Sequence, residues 1–197
     1  MIIIEKINTI NIIEMQNSIS LSYRKIKSIF LNDKFDRAIN DCTYISKVYE
    51  NIYISDLESS ISSDFKNVLS LVKFNHTNEN TCIVLFDDVN YSNTFIDIPN
   101  DLEEEFLKLK DVLIQSYNFL HEHRNEKTLI HCKKGMSRSS FIFLYYLLQN
   151  YYNDNYSNKV PILYDLVLLL KKMRPCIMIG DLFIYYLCLV EWFHITS

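Results

Sequence analysis

The chain has 197 residues, 49% of them hydrophobic, with 20 Lys and Arg against 24 Asp and Glu and a net charge of −4. This hydrophobic content excludes a disordered chain, and the length suits one globular domain with room for an extra arm. The presence of only two glycines excludes a collagen repeat and the glycine-rich loops that bind dinucleotides or nucleoside triphosphates. The acidic balance predicts no binding to nucleic acid or to an anionic membrane.

Cysteine usage and apolar runs favour a cytoplasmic location. Five cysteines without paired C-x-x-C spacing match neither a disulfide framework nor a zinc ribbon, and they indicate a reducing compartment. The longest apolar stretch, 176–193, is interrupted by Gly180 and Asp181 and is too short to span a bilayer. For four cysteines the simplest interpretation is an inert, buried side chain: Cys42, Cys82, Cys176 and Cys188.

Residues 1–40 are assigned to an N-terminal helical arm. Apolar side chains recur at helical spacing between basic residues and predict an amphipathic helix: Ile19, Tyr23, Ile26 and Phe30. Such a helix either packs on its own domain, which is the more common arrangement, or offers a surface to a partner.

Residues 41–197 form the second assigned region, in which strands and helices alternate. Its first half is rich in β-branched and aromatic runs separated by turn residues, and one long segment has helical periodicity behind an acidic first turn. The predicted elements are strands at 44–49 and 52–54, a helix at 64–72, strands at 82–86 and 95–98, a helix at 102–121 and a buried strand at 128–131.

Three more helices are predicted after this strand. Residues 141–148 are apolar on nearly every face, as in a helix at the centre of a domain. The polar residues 150–159 are interpreted as a surface loop, and Pro161 suits the first turn of a helix that ends before Pro175. The last helix opens at 180–181. This order predicts an α/β fold with a central mixed, largely parallel sheet flanked by helices.

The loop between the buried strand and the buried helix carries the chemistry. It begins after His131 and spans residues 132–138, Cys-Lys-Lys-Gly-Met-Ser-Arg, followed by Ser139; we call it the Cys132 loop. Consecutive backbone N–H groups at a helix N-terminus form a cradle for a tetrahedral anion. Gly135 relieves crowding where the backbone bends, and Arg138 can grip two phosphate oxygens with its planar fork.

Cys132 lies at the base of this cradle. The positive potential that binds phosphate lowers the pKa of its thiol, which predicts a thiolate nucleophile that attacks phosphorus and forms a phosphocysteine. Ser139 can donate its hydroxyl to the sulfur and help the thiolate to leave, whereas His131 is predicted to orient the loop. Lys133 and Lys134 either contact substrate or lie on a solvated edge.

This chemistry requires no metal and no organic cofactor. Two histidines close to the loop, His121 and His123, are separated by a single residue. Side chains two positions apart diverge on a helix, and the H-E-x-x-H order of zinc enzymes is absent. We therefore predict that no metal is bound.

The loop resembles the signature of cysteine-dependent phosphatases, Cys-x5-Arg followed by Ser, and its Ser-Arg-Ser form resembles the dual-specificity branch. The similarity covers about residues 44–193, with further matches at 52–60, at the Ile-Pro strand 95–99 and at the Arg-Pro segment 174–183. The resemblance implies the cysteine-dependent phosphatase fold. It also implies hydrolysis of phosphotyrosine, phosphoserine and phosphothreonine in phosphorylated proteins, in a shallow pocket.

The resemblance also implies site residues. The phosphate would be bound by Lys133, Lys134, Gly135, Met136, Ser137 and Arg138. A general acid is expected about thirty residues before the nucleophile, and Asp101, thirty-one positions before Cys132, is the first candidate, ahead of Asp97 and the pair Asp87 and Asp88. The Asn that the family usually carries in the Arg-Pro segment is replaced by Gly180, which predicts a weaker brace for the loop.

Within the family, residues 124–126 and 160–164 resemble the poxvirus enzymes of vaccinia type. A composition typical of an AT-rich genome fits such a viral source, and the expected locations are then the host cytoplasm and the virion. The same resemblance makes the N-terminal arm a candidate contact for a homodimer.

Two alternatives remain open. The loop recognises only phosphate, so a phosphoinositide or an RNA 5′-phosphate could be the substrate, although lipid-directed relatives carry a lysine where this loop has Met136. The second alternative is a catalytically weak module that binds phosphoproteins; the presence of both Cys132 and Arg138 argues against it.

Overall fold

The computed structural model describes residues 12–31, 43–86, 102–154 and 159–196. Along the described chain the elements are α1 (Ile12–Leu31), β1 (Ser46–Tyr49), β2 (Ile52–Ser55), α2 (Leu57–Ile61), β3 (Asn67–Ser70), β4 (Asn80–Ile83), α3 (Leu102–Glu122), β5 (Thr128–His131), α4 (Arg138–Asp154), α5 (Leu163–Met173) and α6 (Asp181–Thr196). The predicted α/β architecture is confirmed.

The five strands form one sheet in the order β1-β2-β5-β3-β4. β1 is antiparallel to β2, and all other neighbours are parallel. The central strand β5 ends at His131, which pairs with Ser55 on one side and Ser70 on the other. Because the carboxyl ends of parallel strands meet at one edge, the segments that follow these three residues converge there, where ligands bind in such sheets.

Helices cover the sheet and form the core. The ring of Phe141 on α4 stacks on Phe183 of α6 at 4.3 Å between centroids, and Phe86 approaches both rings edge-on. The prediction of a buried central helix is confirmed, but α4 extends to Asp154. The polar loop predicted at 150–159 is therefore wrong in its first residues, because Tyr152 is buried and keeps the helix packed on the core.

The amphipathic helix predicted in the arm is confirmed as α1. Its apolar face packs on α6 and α5 of the same chain. Three of the four residues that defined the pattern are buried: Ile19, Ile26 and Phe30. The arm thus adopts the more common of the two arrangements, and the homodimer contact stays a prediction.

The helix predicted at 64–72 is wrong. Residues 67–70 form β3, all four of them buried between β5 and β4, and the helix of this region is α2, capped by the Asp56 carboxylate at the Ser59 N–H. A parallel strand that is buried on both faces shows no alternation of apolar and polar residues, so its apolar run can be mistaken for part of a helix. The strand predicted at 82–86 also begins earlier, at Asn80, and ends at Ile83.

Several predictions fall on residues that the structure does not describe. Residues 87–93, the strand 95–98 and Asp101 lie outside the described residues. Of the four cysteines interpreted as inert and buried, Cys188 is a buried free thiol and Cys82 is a half-buried one. Cys176 is disulfide-bonded, which corrects its interpretation as an inert thiol, and Cys42 lies outside the described residues. Among the described helices, none has both the length and the apolar character that crossing a bilayer requires.

Candidate active site

The Cys132 loop joins the end of β5 to the N-terminus of α4. The backbone N–H of Phe141 donates to the Ser137 carbonyl at 2.8 Å, which places the loop on the first turn of the helix. An N-terminal turn leaves backbone N–H groups without intrahelical acceptors and carries a partial positive charge. The local fold therefore sets Cys132 beside an electropositive, hydrogen-bond-donating site.

Cys132 is nearly inaccessible, at 3% exposure, and its sulfur lies 3.5 Å from the Ser139 hydroxyl oxygen. Burial alone would raise the pKa of the thiol. The hydroxyl and backbone N–H of Ser139, the charge of Arg138 and the backbone N–H of Lys134 outweigh it, so the pKa is lowered. A lowered pKa means that the thiolate, the nucleophilic form, is favoured.

Gly135 occupies the tightest point of the loop. Its φ of +62° lies in the left-handed region, and a Cβ atom placed there would lie 2.5 Å from the carbonyl oxygen of Ser55 and 2.6 Å from Nη2 of Arg174. Only glycine fits such a position without moving the backbone of β2. The role predicted for this glycine, relief of crowding, agrees with the geometry.

Arg138 projects from the first residue of α4. Its Nη1 donates to the Leu71 carbonyl at 3.1 Å, and the Leu71 N–H in turn donates to the His131 carbonyl at 2.9 Å. The guanidinium is thus held at the end of β3, beside the loop. Its planar fork lies where it can meet an anion bound over Cys132.

A cavity of about 510 Å³ opens over the loop. Among the described residues it is lined by the loop positions Cys132, Lys133, Lys134, Met136, Ser137 and Arg138. Lys27 of α1 and residues 178–181, which lead into α6, form the rest of the described wall. Met136 is largely buried and packs against Cys176, whereas the two loop lysines are exposed. The cavity therefore brings together five of the six predicted phosphate-binding positions, and their role stays a prediction. The sixth, Gly135, does not line the cavity.

His131 is fully buried at the end of β5. Its Nε2 lies 2.8 Å from Nε2 of His76. Burial, followed by the neighbouring His76 charge, lowers the pKa of His131 to about 4. The imidazole is thus neutral near pH 7, and its predicted role of orienting the loop stays a prediction.

Arg174 is a residue of the site to which the sequence reasoning gave no role. It is fully buried, and its Nε donates to the Gly135 carbonyl at 2.9 Å. Its Nη1 donates to three acceptors near β1 and β2: Tyr44 O, Ser46 Oγ and Ile54 O. The available signal was the Arg-Pro segment 174–183, which the resemblance had already matched to the family.

The acid predicted for the reaction cannot be placed against this geometry. Asp101 lies outside the described residues, as do Asp97, Asp87 and Asp88. Within the described ranges, no group of three or more His, Cys, Asp or Glu side chains is arranged to hold a metal ion.

A buried cysteine with a lowered thiol pKa, at the carboxyl end of a central parallel strand, below a helix N-terminus and beside an arginine, is the arrangement expected of cysteine-dependent phosphatases. The family model described as "Dual specificity phosphatase, catalytic domain" matches residues 52–192. The chain belongs to that family. No curated protein matches the sequence.

Solved structures share the fold. A leucine rich repeat and phosphatase domain containing protein from Entamoeba histolytica is 17% identical, with a TM-score of 0.54 and coverage of 77% of this chain and 92% of that one. The Yvh1 phosphatase domain from Chaetomium thermophilum is 15% identical, with a TM-score of 0.55 and coverage of 78% and 97%. OH1, a tyrosine phosphatase from the Orf virus, is 11% identical, with a TM-score of 0.50 and coverage of 78% and 87%.

Proposed function

We propose that this chain hydrolyses phosphotyrosine, phosphoserine and phosphothreonine in proteins through a phosphocysteine on Cys132. The observation that carries the proposal is the Cys132 sulfur, buried 3.5 Å from the Ser139 hydroxyl, with a lowered pKa. A thiolate is the group that can attack phosphorus near neutral pH. Membership of the dual specificity phosphatase family supports the same chemistry.

In the first step, the Cys132 thiolate attacks phosphorus and the bond from phosphorus to the substrate oxygen breaks. The backbone N–H groups of the Cys132 loop and the Arg138 guanidinium hold the phosphoryl oxygens, whose charge is spread in the transition state. The leaving oxygen takes a proton from a general acid, which we assign to Asp101.

In the second step, water attacks the phosphocysteine. The Asp101 carboxylate takes a proton from the water, the sulfur–phosphorus bond breaks, and inorganic phosphate and the thiolate are released. A hydrogen bond from the Ser139 hydroxyl stabilises the departing thiolate, as its 3.5 Å distance from the sulfur allows. The proton given to the first leaving group is thereby restored to Asp101.

The residues that line the cavity support the proposal of a protein substrate. The rim of the cavity carries the positive charges of Lys133 and Lys134 around the opening above Cys132, which suits a phosphate attached to an acidic peptide. The charge of Lys27 on the same wall is offset by its ion pair with Asp181. At the position of Met136, where lipid-directed relatives carry lysine, an apolar side chain is buried. The poxvirus affinity, the host-cytoplasm or virion location and the homodimer remain proposals that rest on the sequence resemblance.

A panel of phosphorylated substrates tests this proposal. We expect the reduced wild-type protein, without metal, to release phosphate from phosphotyrosine and phosphothreonine peptides at least about tenfold faster, as kcat/KM, than from a phosphoinositide or an RNA 5′-phosphate, a difference of about 1.4 kcal/mol in transition-state binding. Asp101→Asn should lower kcat for peptides, with Glu104→Gln as the acidic control three residues later.

The contrary outcomes are distinct. Faster turnover of the lipid or the RNA end would reassign the substrate. Tight binding of phosphopeptides without any phosphate release would make the chain a phospho-binding module. An Asp101→Asn variant with unchanged kcat would move the general acid to another carboxylate.

A further inference from the structure

The first residue of α6, Asp181, is held by two side chains of the N-terminal helix α1. Lys27 forms an ion pair with the Asp181 carboxylate, which is largely buried. Tyr23, one helical turn earlier, lies within hydrogen-bond reach of the same carboxylate: burial, followed by the charge of Asp181 and this hydrogen bond, raises the pKa of Tyr23 to about 12. Two neighbouring turns of α1 therefore converge on one buried acid.

The residues just before Asp181, 178–180, lie along the Cys132 loop. The Gly180 N–H donates to the Ser137 hydroxyl at 3.2 Å, and the Met178 N–H donates to the Met136 carbonyl at 3.2 Å. Ser137 immediately precedes Arg138. The loop is thus bonded to Gly180, which is directly attached to the anchored Asp181, and to Met178, three positions before it.

Lys27 also faces the site. Its side chain is 26% exposed, and it lines the same cavity as Cys132, Ser137 and Arg138. The ion pair of Lys27 and Asp181 therefore lies on the wall of the cavity that receives the anion, where the two charges offset each other. An ion pair in a partly buried place is less screened than one on the surface, so the loss of Lys27 leaves the Asp181 carboxylate, next to Gly180, without its counter-charge.

We propose that Tyr23 and Lys27 are positioning residues of the active site, which hold Asp181 and, through Gly180, the Ser137 side of the Cys132 loop. The N-terminal helix is then a part of the catalytic unit. This inference rests on the proposed function, since it assumes that the loop binds the phosphate.

A merely structural role predicts a different result. If α1 only covered the apolar face of α6, changes at Tyr23 and Lys27 would lower the melting temperature and leave the properties of a folded site alone. A positioning role requires that anion affinity and the pKa of the Cys132 thiol change in protein that remains folded. These two quantities decide between the roles.

The experiment compares Lys27→Met, Tyr23→Phe and Asp181→Asn with Arg24→Met, which removes a positive charge from an exposed position of the same helix. For each variant we measure the Kd for tungstate by calorimetry, the pH midpoint of Cys132 alkylation, and kcat and KM for 4-nitrophenyl phosphate. All measurements are made well below the lowest melting temperature. Tyr23→Phe removes only a hydroxyl, so it keeps the packing of α1 if Lys27→Met does not fold.

We expect Lys27→Met to weaken tungstate binding by about tenfold, within the range for residues that act through a packed network, and to raise the alkylation midpoint. Asp181→Asn alone removes a negative charge from the cavity wall, so its use is in the double variant with Lys27→Met, which removes both charges. The double variant should bind as weakly as Lys27→Met, since a loss that came from charge alone would be cancelled in it. Lys27→Arg should restore most of the affinity, and Arg24→Met should match wild type.

The inference fails if Lys27→Met, Tyr23→Phe and Arg24→Met all bind tungstate and react with the alkylating agent as wild type does. That outcome leaves the proposed function intact. If wild type binds tungstate without hydrolysing the ester, the hydrolysis proposal fails while the Kd comparison still tests the positioning role. Wild type that neither binds tungstate nor turns over removes both.

Discussion

The guanidinium of Arg174 donates through Nε to the backbone carbonyl of Gly135 at 2.9 Å, and so connects the segment before α6 to the centre of the Cys132 loop. The same side chain also donates to acceptors near β1 and β2, and it is fully buried. One cation therefore joins the loop, the edge of the sheet and the approach to the last helix. Its geometry depends on a planar fork that lysine cannot reproduce.

We expect Arg174→Lys to lower the free energy of unfolding by at least about 3 kcal/mol, because several buried acceptors lose their donor. Urea denaturation measures this loss. Lys172→Met, an exposed change two residues earlier, should alter the same free energy by less than about 0.5 kcal/mol. Equal stability of Arg174→Lys and wild type would show that the buried network is not needed.

Gly135→Ala should damage both stability and turnover. The left-handed φ of +62° costs an L-residue about 1–2 kcal/mol, and the Ser55 carbonyl at 2.5 Å from the new Cβ forces the loop to move. A displacement of this kind is expected to lower kcat for an aryl phosphate by about 100-fold. Steady-state kinetics and urea denaturation measure the two effects.

Gly180, the only other glycine in the sequence, is the matched control for the loss of stability predicted at Gly135. A Cβ at Gly180 would meet Phe183 at 3.7 Å and the Ser137 hydroxyl at 3.8 Å, which are ordinary contacts. We expect the unfolding free energy of Gly180→Ala to stay within about 0.5 kcal/mol of wild type. Similar losses in the two variants would contradict the assignment of the strain to Gly135.

The lowered pKa of Cys132 predicts a characteristic pH profile of alkylation. Iodoacetate reacts with the thiolate, so inactivation should persist to a lower pH than for an ordinary cysteine. Ser139→Ala removes a hydrogen bond to the thiolate, which destabilises the charged form and shifts the midpoint to higher pH. Hydrolysis of the phosphocysteine should slow at the same time.

Ser140→Ala is the matched control for this profile. The Ser140 hydroxyl is buried and has no hydrogen-bond partner among the described residues. Its removal should therefore leave the midpoint where it is. Midpoints that move equally in both serine variants would assign the effect to packing rather than to the Ser139 hydrogen bond.

The buried His131 predicts a loss of stability in mild acid. The unfolded chain takes up a proton on this residue near pH 6.5, whereas the folded protein keeps it neutral because its pKa is lowered to about 4. The unfolded state thus binds more protons between these values. The stabilisation that comes from a neutral His131 is fully present above about pH 6.5. As the pH falls toward 4, the free energy of unfolding decreases by up to about 1.4 kcal/mol per pH unit.

Urea denaturation at pH 7, 6 and 5 measures this slope. His131→Gln should reduce the slope, because the variant loses the most strongly buried imidazole. Part of the slope should remain, since burial also lowers the pKa of His76 and of His194. His121→Gln, which changes an exposed histidine at the end of α3, should keep the wild-type slope. Parallel lines for wild type and His131→Gln would show that His131 does not carry the pH dependence.

The elements that the sequence predicts well are those with long or strongly amphipathic patterns. The helical spacing of Ile19, Ile26 and Phe30 predicted the buried face of α1. The apolar run after Arg138 predicted α4. β3 was missed because all four of its residues are buried between two parallel neighbours, which removes the period-two signal.

The loop chemistry could be predicted because its residues are consecutive. Cys132, Gly135 and Arg138 lie within seven positions, so spacing alone specifies the motif. The brace by Arg174 and the anchoring of Asp181 by Lys27 join residues 39 and 154 positions apart, and no local pattern reports such contacts. The prediction of a weaker brace at Gly180 considered only side chains. The backbone N–H of Gly180 donates to the Ser137 hydroxyl, and this bond needs no side chain at position 180.

The central claim is a phosphocysteine on Cys132, and trapping it is the most direct test. Reduced, metal-free protein is mixed with 4-nitrophenyl phosphate, quenched in acid within one turnover and analysed by peptide mass spectrometry, with Cys132→Ser and Cys82→Ser alongside. We predict a phosphate on the Cys132 peptide in wild type and Cys82→Ser, none in Cys132→Ser, and no turnover of the ester by that variant. Vanadate-insensitive turnover that survives Cys132→Ser would contradict the account.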